Sequence, residues 1–162
     1  VSACSIGLWQ IILRADFYHL TQIPLDRALP AIAERVLASG EHLLILAEDE
    51  KALDELDQLL WTFRADSFLP HGIEGGPQDA LQPILLCEGV PANDPKGLMC
   101  FDGAEVSAEE IERFERVWIL FDGRDSVAVE RARGQWRALT GAGCKAQYWS
   151  EDQGRWEKKA ES

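Results

Sequence analysis

A chain of 162 residues, 46% hydrophobic and 27% charged, has the length and balance of one globular domain. Its formal net charge of −12 excludes binding a phosphate backbone over the whole surface, so any contact with an anion must be local. No apolar run reaches the roughly 20 residues that a membrane-spanning helix needs, and a cytoplasmic location is expected.

Residues 1–14 form an extension ahead of the first clear element. Val1-Ser2-Ala3-Cys4 has the residue types of a lipoprotein box, but without the charged and apolar regions that precede one, so a chance match is expected. Ala15 to Leu20 then reads as a strand, rich in aromatic and apolar side chains. In LDRALPAIAERVLASG, Leu25, Leu29, Ile32, Val36 and Leu37 recur at helical spacing, with Gly40 placed to cap the end. Pro30 falls inside this pattern and either kinks the helix or starts it. His42 to Ala47 is a continuous apolar run, as in a buried parallel strand.

Asp49 is placed to cap a second helix that turns Leu53, Leu56, Leu59 and Leu60 inward. Arg64 to Pro83 is loop-rich, punctuated by proline and glycine. Ile84–Cys87 and Leu98–Phe101 are short strands around a turn at Pro91 to Gly97. Ser107, with Glu110 closing a capping box, starts a short helix through Phe114. Val117–Phe121 is a further buried strand, and Asp125 to Leu139 a long helix ended by Gly141 and Gly143. Lys145–Trp149 is the last strand, and residues 151–162 form a charged tail expected to fray except at Trp156.

This alternation predicts a three-layer α/β/α domain over residues 15–150, with a largely parallel twisted sheet. It is Rossmann-like without a phosphate-binding glycine loop, because the first strand-to-helix junction, HLTQIPLDRALP, contains no glycine. The chemistry of an enzyme is hard to find. Gly72-Ile73-Glu74-Gly75-Gly76 carries no lysine and leads into Pro77; it reads as a flexible loop, with a ligand clamp of a nucleotide- or small-molecule-binding enzyme as the alternative. No G-x-S-x-G elbow occurs. Glu48, Asp49 and Glu50 sit at a helix start, where negative charge is structural. His71 in its Pro/Gly surroundings is expected to make a structural hydrogen bond. Cys4, Cys87, Cys100 and Cys144 are scattered and His19, His42 and His71 add no ligand spacing, so reduced thiols, no metal and no cofactor are expected.

The long last helix holds Arg131, Arg133 and Arg137 in an otherwise acidic chain. Arg133 and Arg137 are four residues apart and share a face, with Trp136 adjoining. Residue physics favours a solvated arginine face with Trp136 packed into the core. The other reading is a seat for a short acidic peptide with one aromatic anchor.

Several segments together resemble the chi subunit family of DNA polymerase III. They are FYHLT (17–21) with Pro24-Leu25, GEHLLILAEDEKALDELDQLLWTF (40–63), Asp66-Ser67-Phe68-Leu69-Pro70-His71, Arg131 to Trp149, and Trp156-Glu157-Lys158-Lys159. The resemblance implies a non-catalytic replication subunit, part of a DNA-directed DNA polymerase (nucleotidyltransferase) complex, that links the clamp loader to single-stranded-DNA-binding protein. It implies that Arg133, Trp136 and Arg137 take the acidic, Phe-terminated tail of that protein, although Thr140 stands where a basic residue is usual. It also implies a contact with the psi subunit or another clamp-loader component through Phe68 and Phe121, with a helicase as a further partner. There the likeness breaks, because Asp122-Gly123 replaces an apolar residue and a proline. Contact with DNA is expected to be indirect, through the complex.

Overall fold

The computed structural model describes residues 14–63, 69–77, 79–88, 97–101, 104–112, 114–152 and 155–161. In chain order these form β1 (Arg14–Leu20), α1 (Leu25–Ala38), β2 (Leu43–Leu46), α2 (Glu50–Thr62), β3 (His71–Ile73), a 3-10 turn (Asp79–Leu81), β4 (Ile84–Cys87) and β5 (Gly97–Cys100). They continue with α3 (Ala108–Ile111), β6 (Arg116–Asp122), α4 (Ser126–Gly141), β7 (Lys145–Asp152) and β8 (Arg155–Glu161). The strands make one sheet in the order β3-β4-β2-β5-β6-β1-β7-β8, and only the β7–β8 pairing is antiparallel.

Two cores sandwich this sheet. On one face Leu29, Ile32 and Val36 of α1 and Leu53, Leu56 and Leu60 of α2 pack with Leu43, Ile45, Ile84, Met99 and Trp118. On the other, Ile111 of α3 and Ala132 and Leu139 of α4 pack with Phe17, Leu44, Leu46, Leu98, Val117 and Ile119. Side chains alternate between the two faces along every strand, as the two-residue pleat requires. The result is the expected three-layer α/β/α domain.

Local chemistry fixes the helix ends. The Asp49 carboxylate accepts from Ala52 N at 2.8 Å to start α2, and Ser107 and Glu110 close a reciprocal capping box on α3. α1 runs through Pro30, which is buried, and ends at Gly40 with φ +82°. α4 begins after Asp125, whose carboxylate accepts from Val127 N, and it passes through Gly141. It stops at Gly143 (φ +92°), where Gly143 N donates to Thr140 O and Cys144 N to Leu139 O. That is a Schellman ending, which needs the left-handed residue only at Gly143.

Three expectations change. The loop-rich stretch before Pro83 contains β3 and the 3-10 turn, so Gly72 and Ile73 lie in a strand. α3 ends at Ile111 rather than Phe114, and Phe114 packs beyond it in the core. Residues 155–161, expected to fray, form β8 against the edge of β7. Among the described residues, no helix is long and apolar enough to cross a membrane.

Candidate functional site

The basic stripe of α4 is built as its spacing predicts. Arg133 and Arg137 are exposed one turn apart, and Trp136 between them is half-buried. The indole meets the Phe17 ring edge-on at 5.3 Å and the Tyr148 ring at 6.0 Å, so the core holds one side of it as a rigid wall. Arg133 pairs with Glu130 at 3.1 Å, both ends exposed. Arg131 points elsewhere, to Glu105 at 3.5 Å. Arg137 pairs with no carboxylate among the described residues. Thr140 donates its hydroxyl to Trp136 O at 2.8 Å, so it is spent on the helix backbone and adds no charge.

Tyr148 is the member of this cluster that the sequence reading missed. It lies on β7 beneath α4, and its hydroxyl and His19 Nδ1 are 2.7 Å apart. Burial pushes the phenol above its ordinary value, and the Arg133 charge pulls it partly back. The strict alternation of Ala146, Tyr148 and Ser150 against Gln147, Trp149 and Glu151 was the available signal.

Phe121 closes the same end of the sheet. It is only 6% exposed, wedged against His19 at 5.1 Å and Tyr148 at 6.0 Å, and offers a partner little surface of its own. The departure at Asp122-Gly123 has a physical reason. A Cβ at Gly123 would overlap the His19 ring, so glycine is what lets that imidazole lie across the end of β6. Asp122 is partly exposed, and its carboxyl is held below its ordinary value by the Arg124 backbone N–H and guanidinium. Phe68 lies outside the described residues, as do Cys4 and the rest of residues 1–13.

Two groups of backbone amides suited to an anion already hold carboxylates of the chain itself. Gly75 N and Gly76 N donate to the two carboxylate oxygens of Asp79 at 2.9 and 3.0 Å, so the glycine segment is closed on an internal anion. That removes the support for a ligand clamp there. At the β1–α1 junction the amides of Thr21, Gln22 and Ile23 converge on the carboxylate of Glu151, at 2.9 to 3.3 Å. Three consecutive amides around one anion are the geometry of a phosphate nest. Here a side chain that is 7% exposed occupies it.

His71 is structural, its ring nitrogens lying 2.7 Å from Leu69 O and 3.1 Å from Asp57 Oδ1. Among the described residues, no three His, Cys, Asp or Glu side chains come together as a metal-holding group. Burial pushes the Cys87 and Cys100 thiols up to about 12, so both stay protonated and unreactive near neutrality.

These features define a doubly wound α/β domain whose amide nests hold its own carboxylates and whose last helix carries a basic and aromatic stripe. Residues 13–147 match the family model described as DNA polymerase III chi subunit, HolC. The chain belongs to that family. It is similar to the DNA polymerase III subunit chi of Pseudomonas aeruginosa, with 30% identity over 89 residues covering 53% of this chain and 61% of that one. The probable DNA polymerase III subunit chi of Rickettsia prowazekii is 27% identical over 113 residues, covering 66% and 68%. The subunit chi of Escherichia coli is 46% identical over 72 residues, covering 40% and 49%. The matched segments thus span between 49% and 68% of these relatives' own length.

Proposed function

We propose that this chain is a non-catalytic accessory subunit of DNA polymerase III in replication. It holds the acidic tail of single-stranded-DNA-binding protein on α4 and tethers it to the clamp loader. The observation that carries the reading is the pair of exposed guanidinium groups, Arg133 and Arg137, flanking a half-buried indole on a chain of net charge −12. Carboxylates of the tail pair with the two arginines, and its terminal aromatic ring rests against Trp136 and Tyr148. Family membership supports the same reading.

The clamp-loader side is proposed to involve Phe68 and Phe121, for the psi subunit or another clamp-loader component, with Phe121 adjoining the Tyr148 side of the tail site. Because Phe121 is buried, its role there is to support the contact from beneath, and Asp122 makes the rim more acidic than an apolar residue would.

A labelled peptide of acidic residues ending in Pro-Phe tests the tail site by fluorescence anisotropy. Binding is expected in the micromolar range and weakens steeply with salt. The double variant Arg133→Ala, Arg137→Glu should lose binding and keep its melting temperature. An unchanged titration for that variant overturns the assignment.

A further inference from the structure

The face of the sheet opposite α4 carries a second concentration of positive charge. α1 packs chiefly over the β2 and β6 part of the sheet, shares a core with Leu20 of β1, and leaves a cleft toward β7 and β8. Between α1 and these strands lies a cleft of about 600 Å³, within the range that small-ligand sites occupy. Arg27 and Arg35 stand along its helical wall, eight residues and so about 12 Å apart on one face, with Ala31 between them leaving the wall low. Both are exposed and pair with no carboxylate among the described residues. Lys158, from β8, closes the opposite rim and pairs with Glu161 at 2.9 Å.

The floor is aromatic. Tyr18 stacks on Trp149 with ring centres 6.4 Å apart and an interplanar angle of 12°, and Trp156 meets Tyr18 edge-on at 5.0 Å. Beneath them Asp16 is fully buried. One of its oxygens takes Arg14 at 3.1 Å and Arg116 at 2.9 Å, and the other accepts from Trp149 Nε1 at 3.3 Å. That carboxylate fixes the two guanidinium groups and the indole in one arrangement while neutralising only one of the two charges.

We propose that this cleft binds a short stretch of single-stranded nucleic acid. Arg27, Arg35 and Lys158 take successive phosphates, and bases stack on the Trp149 and Trp156 rings. A basic groove that tracks a backbone beside aromatic platforms is the general solution for sequence-tolerant binding of single strands. An acidic peptide would use the cations but has no need of three clustered rings. The contact is local, as a chain this acidic requires, and therefore weak and strongly salt-dependent. Because the cleft and the α4 stripe lie on opposite faces of the sheet, a strand and a protein tail can be held together.

Quenching of tryptophan fluorescence by a short oligothymidylate, at low salt, reads the binding directly in the full chain. Quenching is expected to saturate and to vanish as salt is raised. Arg27→Glu with Arg35→Glu should weaken binding at least ~10-fold, and Trp156→Ala about fivefold or more. The α4 variant Arg133→Ala, Arg137→Glu should bind the oligonucleotide as the parent does, and an acidic Phe-terminated peptide should not displace it. Arg27 and Arg35 are exposed on a helix, so an unchanged melting temperature confirms that the charge-reversed chain is folded. Absence of quenching at low salt, insensitivity to the Arg27 and Arg35 changes in a folded variant, or displacement by the peptide each overturns the proposal. None of these outcomes touches tail binding on α4, which the anisotropy titration judges separately.

Discussion

The two halves of the sheet are built to different rules. Strands β4, β2 and β5, with sequences ILLC, LLIL and GLMC, are buried at every position, because α1 and α2 cover one face and the α3–α4 layer the other. Strands β1, β7 and β8 carry Arg14, Asp16, Tyr18, Trp149, Trp156 and Lys158 toward a face that no helix closes. In the closed half, hydrophobic burial decides every residue. In the open half only one face is so constrained, which leaves the other free to carry charge and aromatic rings. The proposed nucleic-acid cleft lies beside the edge of the α1 layer.

The contrast breaks first if the closed half does not dominate stability. Leu56→Ala empties a fully buried position between α2 and the sheet, and a loss of about 3 kcal/mol is expected in urea unfolding. A loss below about 1 kcal/mol would mean that this half collapses freely around the cavity.

Glu151→Ala probes a buried polar tie in the open half. It strips the partner from three converging amides, and a loss of about 2 kcal/mol is expected. Inorganic phosphate or sulfate should then raise the melting temperature of the variant and leave the parent unaffected, because an anion can enter the vacated nest. A variant blind to both anions would show that the nest collapses without its carboxylate.

Thiol chemistry gives a further contrast, confined to alkaline pH. Cys87 and Cys100, on β4 and β5, have ordinary values near 9 raised by burial to about 12. Above about pH 9 the unfolded chain gives up these protons before the folded chain does, so the unfolded state binds fewer protons and stability falls as pH rises toward 12. Half-buried Tyr18 and Tyr148 shift in the same direction, so the parent must be compared with Cys87→Ala, Cys100→Ala, whose decline should be shallower. A thiol reagent should reach half-exposed Cys144 in the folded chain, and Cys87 and Cys100 only on unfolding.

The closed half was legible in the sequence almost residue by residue. Apolar runs marked its strands, and Asp49, Ser107 with Glu110, and Gly40 marked its helix ends, because each of those signals is local. The open half was not. β8 reads RWEKKAE and is exposed along nearly all its length, so nothing in its own composition announces a strand; pairing with β7 makes it one. At the far edge of the sheet, beside β4, β3 was missed too: it has three residues amid proline and glycine, too short for a period to show. The α4 stripe was visible because Arg133, Trp136 and Arg137 are close in sequence, whereas Tyr148 joins it only through the fold. The cleft gathers residues 14, 27, 35, 149, 156 and 158 from four separate elements, and no window of sequence contains it.

The edges of the sheet carry a consequence for how partners can attach. One edge is β3, a strand of three residues. The other is β8, where Glu157, Lys158, Lys159 and Glu161 stand exposed and two lysine–glutamate pairs sit along its length. Short and charged edges resist the addition of a further strand from another chain. The described sheet is therefore closed to growth on both sides, which guards it against edge-to-edge aggregation. A partner peptide is left to bind by its side chains, in conformations that need not be extended, and its affinity will respond to salt and to single side-chain changes more than to its tendency to form a strand.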